Sequence, residues 1–169
     1  MMKKLAVFAF LALSGCGPFW VNPYITVRES PLNWVEIHYY NLSRKPIRRI
    51  AVYINGGGYV KVRKGTSELV SNDFAKRYND ETWDDIKWSE KSVDPKHVKD
   101  VFQNLVNHGL LDGEKYFQRS DKKEFKQFIA VKANIDNYAY TQKENIYEVS
   151  PVLAEHLYDV VQEFKNVTR

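Results

Sequence analysis

The sequence predicts a single α+β domain in which an antiparallel sheet of two hairpins carries two amphipathic helices on one face. Three observations lead to this prediction. Segments that alternate between apolar and polar residues occur in pairs, short turns join the members of each pair, and two segments with helical spacing of apolar residues begin at Asp94-Pro95 and Ser150-Pro151. Because each helix would follow a hairpin, the order of elements also fits a ββα repeat with both helices on the same face.

The first strand is predicted over residues 33–40, where apolar and polar positions alternate. One face would carry Val35, Ile37 and Tyr39, and the other Trp34, Glu36, His38 and Tyr40. A second strand is predicted over 47–54, and Asn55-Gly56 after it is a typical dipeptide of type I′ hairpin turns. The further glycines indicate a bulge or a looser loop before a third alternating segment at 59–63. Since the glycine run leads into a strand and not into a helix, it does not match a phosphate-binding loop.

Residues 72–93 are predicted to be a long connection, with a turn of helix near 74–78 and a short strand before it at 67–72. Long loops in compact domains often carry function. The segment places acids beside indole rings. Its predicted ligand-contact residues are Trp83, Asp84, Asp85 and Trp88. Three functional readings stay open: contact with a glycan or peptide, glycoside hydrolysis by paired carboxylates, and calcium binding. The alternative is a solvated acidic loop whose tryptophans pack back on the sheet.

Two helices and a second hairpin complete the predicted domain. Asp94 is expected to cap the first helix, whose apolar stripe runs to Gly109, a residue suited to end a helix. Strands over 125–133 and 138–141 form the second hairpin, and Ser150 is expected to cap the last helix. The apolar stripes contain Val98, Val101, Phe102, Leu105 and Val106 in the first helix, and Leu153, Leu157, Val160, Val161 and Phe164 in the second.

The first residues have the pattern of a secretory signal. Lys3 and Lys4 precede an uncharged run from Leu5 to Leu13, which is too short to span a bilayer. The next residues, Leu13-Ser14-Gly15-Cys16, resemble the lipobox of bacterial lipoproteins. That resemblance implies cleavage before Cys16 and lipidation of its thiol, which would also explain a lone cysteine in an exported chain.

The predicted organisation has three parts. Residues 1–15 are the signal peptide, 16–32 a lipidated tether that becomes ordered near Tyr24 to Val27, and 33–169 the α+β domain. Two or three acyl chains hold a protein on a membrane permanently. In the Gram-negative lipoproteins that the leader resembles, Asp after the cysteine favours the inner membrane, so Gly17 favours the outer membrane. Residues 47–164 also loosely resemble uncharacterised secreted bacterial domains, a resemblance that implies no activity.

Composition and motifs restrict the function. The formal net charge is +4, and removal of the two leader lysines lowers it to +2, which argues against a dedicated nucleic-acid binder. The four histidines lack the spacing of a zinc site, no nucleophile motif occurs, and His38 is expected to be structural. We therefore expect no catalytic residues, metal or cofactor.

The expected function is that of a non-catalytic, membrane-anchored lipoprotein of the bacterial cell envelope, which binds a protein or cell-wall material. The alternative is an envelope hydrolase that acts on glycans with carboxylates of residues 80–90, such as Asp80 and Glu81.

Overall fold

The computed structural model describes residues 25–68, 83–112, 126–136 and 138–166. Its elements are β1 Trp34–Asn41, β2 Ile47–Asn55, β3 Tyr59–Ser67, β4 Asp84–Ser92, α1 Pro95–Asn107, β5 Gln127–Ile135, β6 Tyr138–Lys143, α2 Ile146–Val149 and α3 Pro151–Phe164. The strands form one antiparallel sheet in the order β4-β3-β2-β1-β5-β6. The predicted α+β class with an antiparallel sheet is confirmed.

The main core lies between one face of this sheet and the apolar stripes of α1 and α3. The strands contribute Val35, Ile37, Tyr39, Val52, Ile54, Val60, Val62, Ile129, Val131, Ala133 and Ile135. The helices contribute the predicted stripes together with Leu110, Ile146 and Ala154. In each strand the core positions are two residues apart, as the pleat requires. The intervening residues therefore belong to the second face of the sheet, which we call the polar face.

Helix α1 has the predicted ends. The Asp94 side chain accepts a hydrogen bond from the Lys96 amide at 2.9 Å, and Pro95 follows at the first helical position. At the other end Gly109 has a φ of 94°, and the Leu110 amide donates to the Leu105 carbonyl at 3.0 Å. These bonds form a Schellman motif, which satisfies carbonyls that the helix leaves unpaired. Ser150 precedes α3 as predicted, but its side chain makes no capping hydrogen bond.

The β2–β3 turn is a hairpin of a different type from the one that the Asn55-Gly56 dipeptide predicts. The Gly58 amide donates to the Asn55 carbonyl at 3.0 Å, and Gly58 itself has a φ of 89°. A three-residue loop that ends in a left-handed glycine is the second common hairpin connection. A side chain at Gly58 would also meet the Val93 carbonyl oxygen, because a Cβ there would lie 2.2 Å from it.

Residues 84–92 are a strand, so the prediction of a connection over 72–93 is wrong for this part. β4 pairs with β3 at one edge of the sheet, and most of its side chains are partly or fully exposed. An exposed edge strand needs no apolar alternation, so its polar sequence carried no strand signal. β1 to β4 therefore form a four-strand meander in place of one hairpin. Residues 69–82, where part of the predicted short strand and the helical turn fall, lie outside the described residues.

Residues 25–33 are fixed against the domain. Val27 belongs to the core, and its amide donates to the Gln103 side chain of α1 at 2.8 Å. Gln103 also donates to the Ile25 carbonyl at 2.9 Å, while Asn33 accepts a bond from the Asp136 amide at 2.8 Å. The second half of the predicted tether thus packs on the fold.

Candidate functional site

The polar face contains two regions with different properties. The first, the buried polar cluster, consists of Glu36, His38, Arg49, Arg63 and Trp83. The second, the aromatic surface, consists of Trp34, Tyr53, Tyr59 and Trp88. Both regions lie on this face because their strand residues occupy the positions that alternate with the core residues.

The buried polar cluster is organised around Glu36. One Glu36 carboxylate oxygen, Oε1, lies 2.9 Å from His38 Nε2 and 2.5 Å from Arg63 Nη2. Burial acts to raise the pKa of Glu36, but the hydrogen bond from His38 and the nearby cations outweigh it, and the pKa lies below its usual value. Burial, opposed by Glu36, lowers the pKa of the His38 imidazole to about 4. At neutral pH His38 is therefore uncharged, and its Nε2–H donates to an ionised Glu36.

Trp83 covers this cluster. Its ring centroid lies 3.9 Å from the Arg49 guanidinium carbon and 5.6 Å from that of Arg63, and only 7% of the residue is exposed. The ring fits here because residue 65 is a glycine: a Cβ at Gly65 would lie 3.1 Å from Trp83 Cε3. A planar guanidinium against an indole is a favourable cation–π contact, and it is stronger when removed from water. Trp83 thus packs back on the sheet, which was the structural alternative for this segment.

The aromatic surface crosses the first four strands. The Trp34 and Tyr53 rings are stacked with centroids 6.3 Å apart, and the Tyr53 and Tyr59 centroids are 6.4 Å apart with the rings inclined at 61°. Trp88 on β4 is 46% exposed, and the Lys61 ammonium lies 4.1 Å from its ring centroid. Tyrosine and tryptophan combine a large apolar area with a polar group, so they suit a surface that contacts a ligand.

The tyrosines of this surface are held as neutral phenols. Burial, together with a hydrogen bond to Glu90, raises the pKa of the Tyr59 hydroxyl. Burial and the charge of Glu36 raise the pKa of Tyr53. Glu90 also lies 4.0 Å from the Lys61 ammonium, measured from Oε1 to Nζ. Each of these bases therefore has an acid nearby: Lys61 has Glu90, and both Arg63 and Lys132 have Glu36.

The four predicted ligand-contact residues do not form one pocket. Asp84 and Asp85 are exposed at the start of β4, where a register shift between β3 and β4 accompanies a φ of 51° at Asp85. Trp83 and Trp88 lie at similar distances from the Arg63 guanidinium carbon, one buried and the other half exposed. The described residues contain no group of three or more His, Cys, Asp and Glu side chains that could hold a metal ion. Cys16, Asp80 and Glu81 lie outside the described residues.

The histidines have structural contacts. His38 is fully buried, and His97 forms an ion pair with Glu163 at 2.5 Å if it is protonated. His108 and His156 stack with ring centroids 3.5 Å apart, where α1 meets α3. This pair could not be predicted from residue spacing, because spacing along one helix reveals only neighbours on that same helix.

No protein-family model matches this chain, and a search of curated proteins found no match. Within the described residues no helix has the length and the apolar composition that a membrane crossing needs.

Proposed function

We propose that this protein is a lipid-anchored protein of the bacterial cell envelope that binds an envelope component through the polar face and does not catalyse a reaction. The observation that carries this proposal is the aromatic surface. It presents four aromatic rings, one on each of the neighbouring strands β1 to β4. Trp88 is one of three large apolar side chains exposed among the described residues. Rigid aromatic side chains give contact area at a low entropic cost, which favours recognition.

The leader and the packed segment after it support the anchor. Cys16 follows a secretory signal, and the chain is fixed to the domain from Ile25 onward. Eight residues separate Cys16 from Ile25, and a chain of that length spans at most about 30 Å. A lipid on Cys16 would hold the domain near the bilayer. Gly17 favours the outer membrane in this proposal.

The carboxylates of the polar face support binding over glycan hydrolysis. Glu36 and Glu90 occupy the same row of the sheet, three strands apart, a separation of about 14 Å. The two carboxyl groups of glycoside hydrolases lie about 5 to 9.5 Å apart across the scissile bond. Glu36 is further committed to His38 and Arg63, and its lowered pKa makes it a poor proton donor. The hydrolase alternative therefore has less support from the described residues.

The anchor is tested by fractionation of cells that produce the Cys16→Ala variant. Without the thiol no thioether can form, so the variant is expected in the soluble fraction or as an unprocessed precursor. Ser14→Ala keeps a small residue and the thiol, and it should behave like the native chain. Membrane-bound protein of mature size in the Cys16→Ala strain would rule out the anchor.

Binding is tested by co-sedimentation of soluble Cys16→Ala protein, which lacks the lipid, with isolated envelope material. This protein should sediment with the material, and the same protein with Trp34→Ala and Trp88→Ala added should remain in the supernatant. Val152→Ala, at an exposed apolar position of α3, is the matched control and should bind normally. Equal sedimentation with and without the two tryptophan substitutions would show that the aromatic surface is not the binding site.

The ββα repeat is a further proposal about the fold. β3-β4-α1 and β5-β6-α3 each contain an antiparallel hairpin and a later helix whose first residue is proline, although the four-residue helix α2 lies between β6 and α3. This shared order supports two related halves.

A further inference from the structure

We propose that the ligand of the aromatic surface is an uncharged glycan strand that lies across β1, β2, β3 and β4. This inference rests on the proposed function, because it names the class of envelope component that the polar face binds.

The arrangement of the rings favours a ligand with repeated flat units. Trp34, Tyr53 and Tyr59 come from three successive strands, and neighbouring ring centroids are 6.3 and 6.4 Å apart. A pyranose presents an apolar face of C–H groups to such a ring, while its hydroxyls point outward to polar neighbours. The Tyr53 and Tyr59 rings are inclined at 61°, so one rigid flat ligand cannot lie against both. A chain of sugars can turn at its glycosidic bonds between units, and each ring has few torsions to restrict on binding.

Polar groups next to the rings suit hydroxyl and amide partners. Asn134 is the register neighbour of Trp34 on β5, and Lys61 and Glu90 lie beside Trp88 and Tyr59. These groups supply both donors and acceptors within one surface. An apolar peptide would need a continuous apolar groove, which the alternation of rings with charged and amide side chains on this surface does not provide.

The charge pattern favours an uncharged polymer over an anionic one. Arg63 pairs with Glu36, Lys132 is the register neighbour of Glu36 on β5, and Lys61 lies close to Glu90, so each of these cations has an acid beside it. A nucleic acid or an acidic polysaccharide needs basic residues that are not opposed by acids, since its affinity comes largely from cation contacts. On this surface such a polymer would meet Glu36 and Glu90 as well as the bases.

The test is isothermal titration of the mature protein, purified in a detergent without a sugar headgroup. The probe is chitohexaose, an uncharged hexamer of N-acetylglucosamine, and an oligogalacturonate of equal length and a thymidine dodecamer are the anionic comparisons. We expect binding of chitohexaose with little dependence on salt. Trp34→Ala should raise its Kd at least about tenfold, which corresponds to ~1.4 kcal/mol.

Two further variants make the result decisive. Trp88 lies on the exposed edge strand, so Trp88→Ala should leave the fold intact, checked by the near-ultraviolet dichroism and the unfolding midpoint, and should also weaken binding. Val152→Ala on α3 should bind as the native protein does. Absence of chitohexaose binding, unchanged affinity in both tryptophan variants, or tighter and salt-dependent binding of either anionic probe would overturn the inference. If the protein sediments with envelope material through the aromatic surface while chitohexaose does not bind, the proposed function stands and this inference fails.

Discussion

The two faces of the sheet bury different kinds of side chain, one apolar and the other polar. On the helix-covered face, fully buried residues such as Val35, Ile37 and Val131 pack against α1 and α3. On the polar face, His38 and Arg49 are as completely buried, but they lie among Glu36, Arg63 and the Trp83 ring. Both faces contain fully buried side chains, but on the polar face these include polar side chains.

This difference separates the face that stabilises the fold from the face that we propose binds a ligand. Aliphatic packing is non-directional, so the helix-covered face stabilises the fold without selecting a partner. The polar face needs directional contacts, because each buried polar group costs free energy unless it is hydrogen bonded or paired. The two regions of this face adjoin each other, because the Arg63 guanidinium carbon of the buried polar cluster lies 5.7 Å from the Trp88 ring centroid.

The largest expected effect comes from breaking the helix-covered face. Phe102 of α1 is completely buried in the core, and Phe102→Ala would leave a cavity beneath the helix. The expected cost is about 3 to 5 kcal/mol of unfolding free energy, measured by denaturant titration. Val152→Ala, at the exposed position of α3, should change stability by less than about 0.5 kcal/mol. A loss below about 1 kcal/mol for Phe102→Ala would mean that this face is not the main core.

The polar face is expected to make stability depend on pH. The pKa of His38 falls from 6.5 to about 4 in the folded protein because the ring is buried, with Arg63 and Arg49 adding to the effect. Between pH 6.5 and 4 the unfolded chain therefore binds more protons than the folded one, so stability rises with pH in this window. The folded pKa of Glu36 is also lowered, so the stability that Glu36 contributes is lost only as the pH falls below about 4.5.

Denaturant titrations from pH 7 to pH 4 measure this effect. The native protein should lose about 3 kcal/mol over the range as an order of magnitude. His38→Gln keeps a donor for Glu36 but cannot be protonated, and its stability should fall much less between pH 6.5 and 4.5. An equal slope in that variant would show that the fully buried imidazole does not cause the pH dependence.

The sequence predicted the helix-covered face well and the polar face poorly, for a physical reason. Periodic apolar residues and local caps reveal α1 with its ends at Asp94 and Gly109, because these signals lie within one segment. The contact between Arg49 and Trp83 joins residues far apart in the chain, and no local pattern encodes it. Of the predicted contact residues, Trp88 lies on the aromatic surface, whereas Trp34 was recognised only as a strand residue.

The smallest expected effect tests whether Gly65 allows the Trp83 ring to cover the buried polar cluster. Gly65 lies opposite Arg49 on β3, and a Cβ there would come within 2.6 Å of the Asp84 carbonyl oxygen and 3.1 Å of the Trp83 ring. Gly65→Ala should therefore shift β4 or displace Trp83 from Arg49, at a cost of about 1 to 3 kcal/mol that is typical of overpacking.

Two measurements on Gly65→Ala separate this explanation from a general effect of replacing glycine. The fluorescence of Trp83 should move to longer wavelength as its ring becomes exposed, and Trp83→Phe in the same background should abolish that shift. Gly57→Ala is the matched control, because its Cβ would come no closer than 3.3 Å to a side chain and Gly57 does not have a positive φ. It should change stability by less than about 1 kcal/mol. If Gly65→Ala is as stable as Gly57→Ala, the glycine is not what admits Trp83, and the buried polar cluster must be closed by other residues.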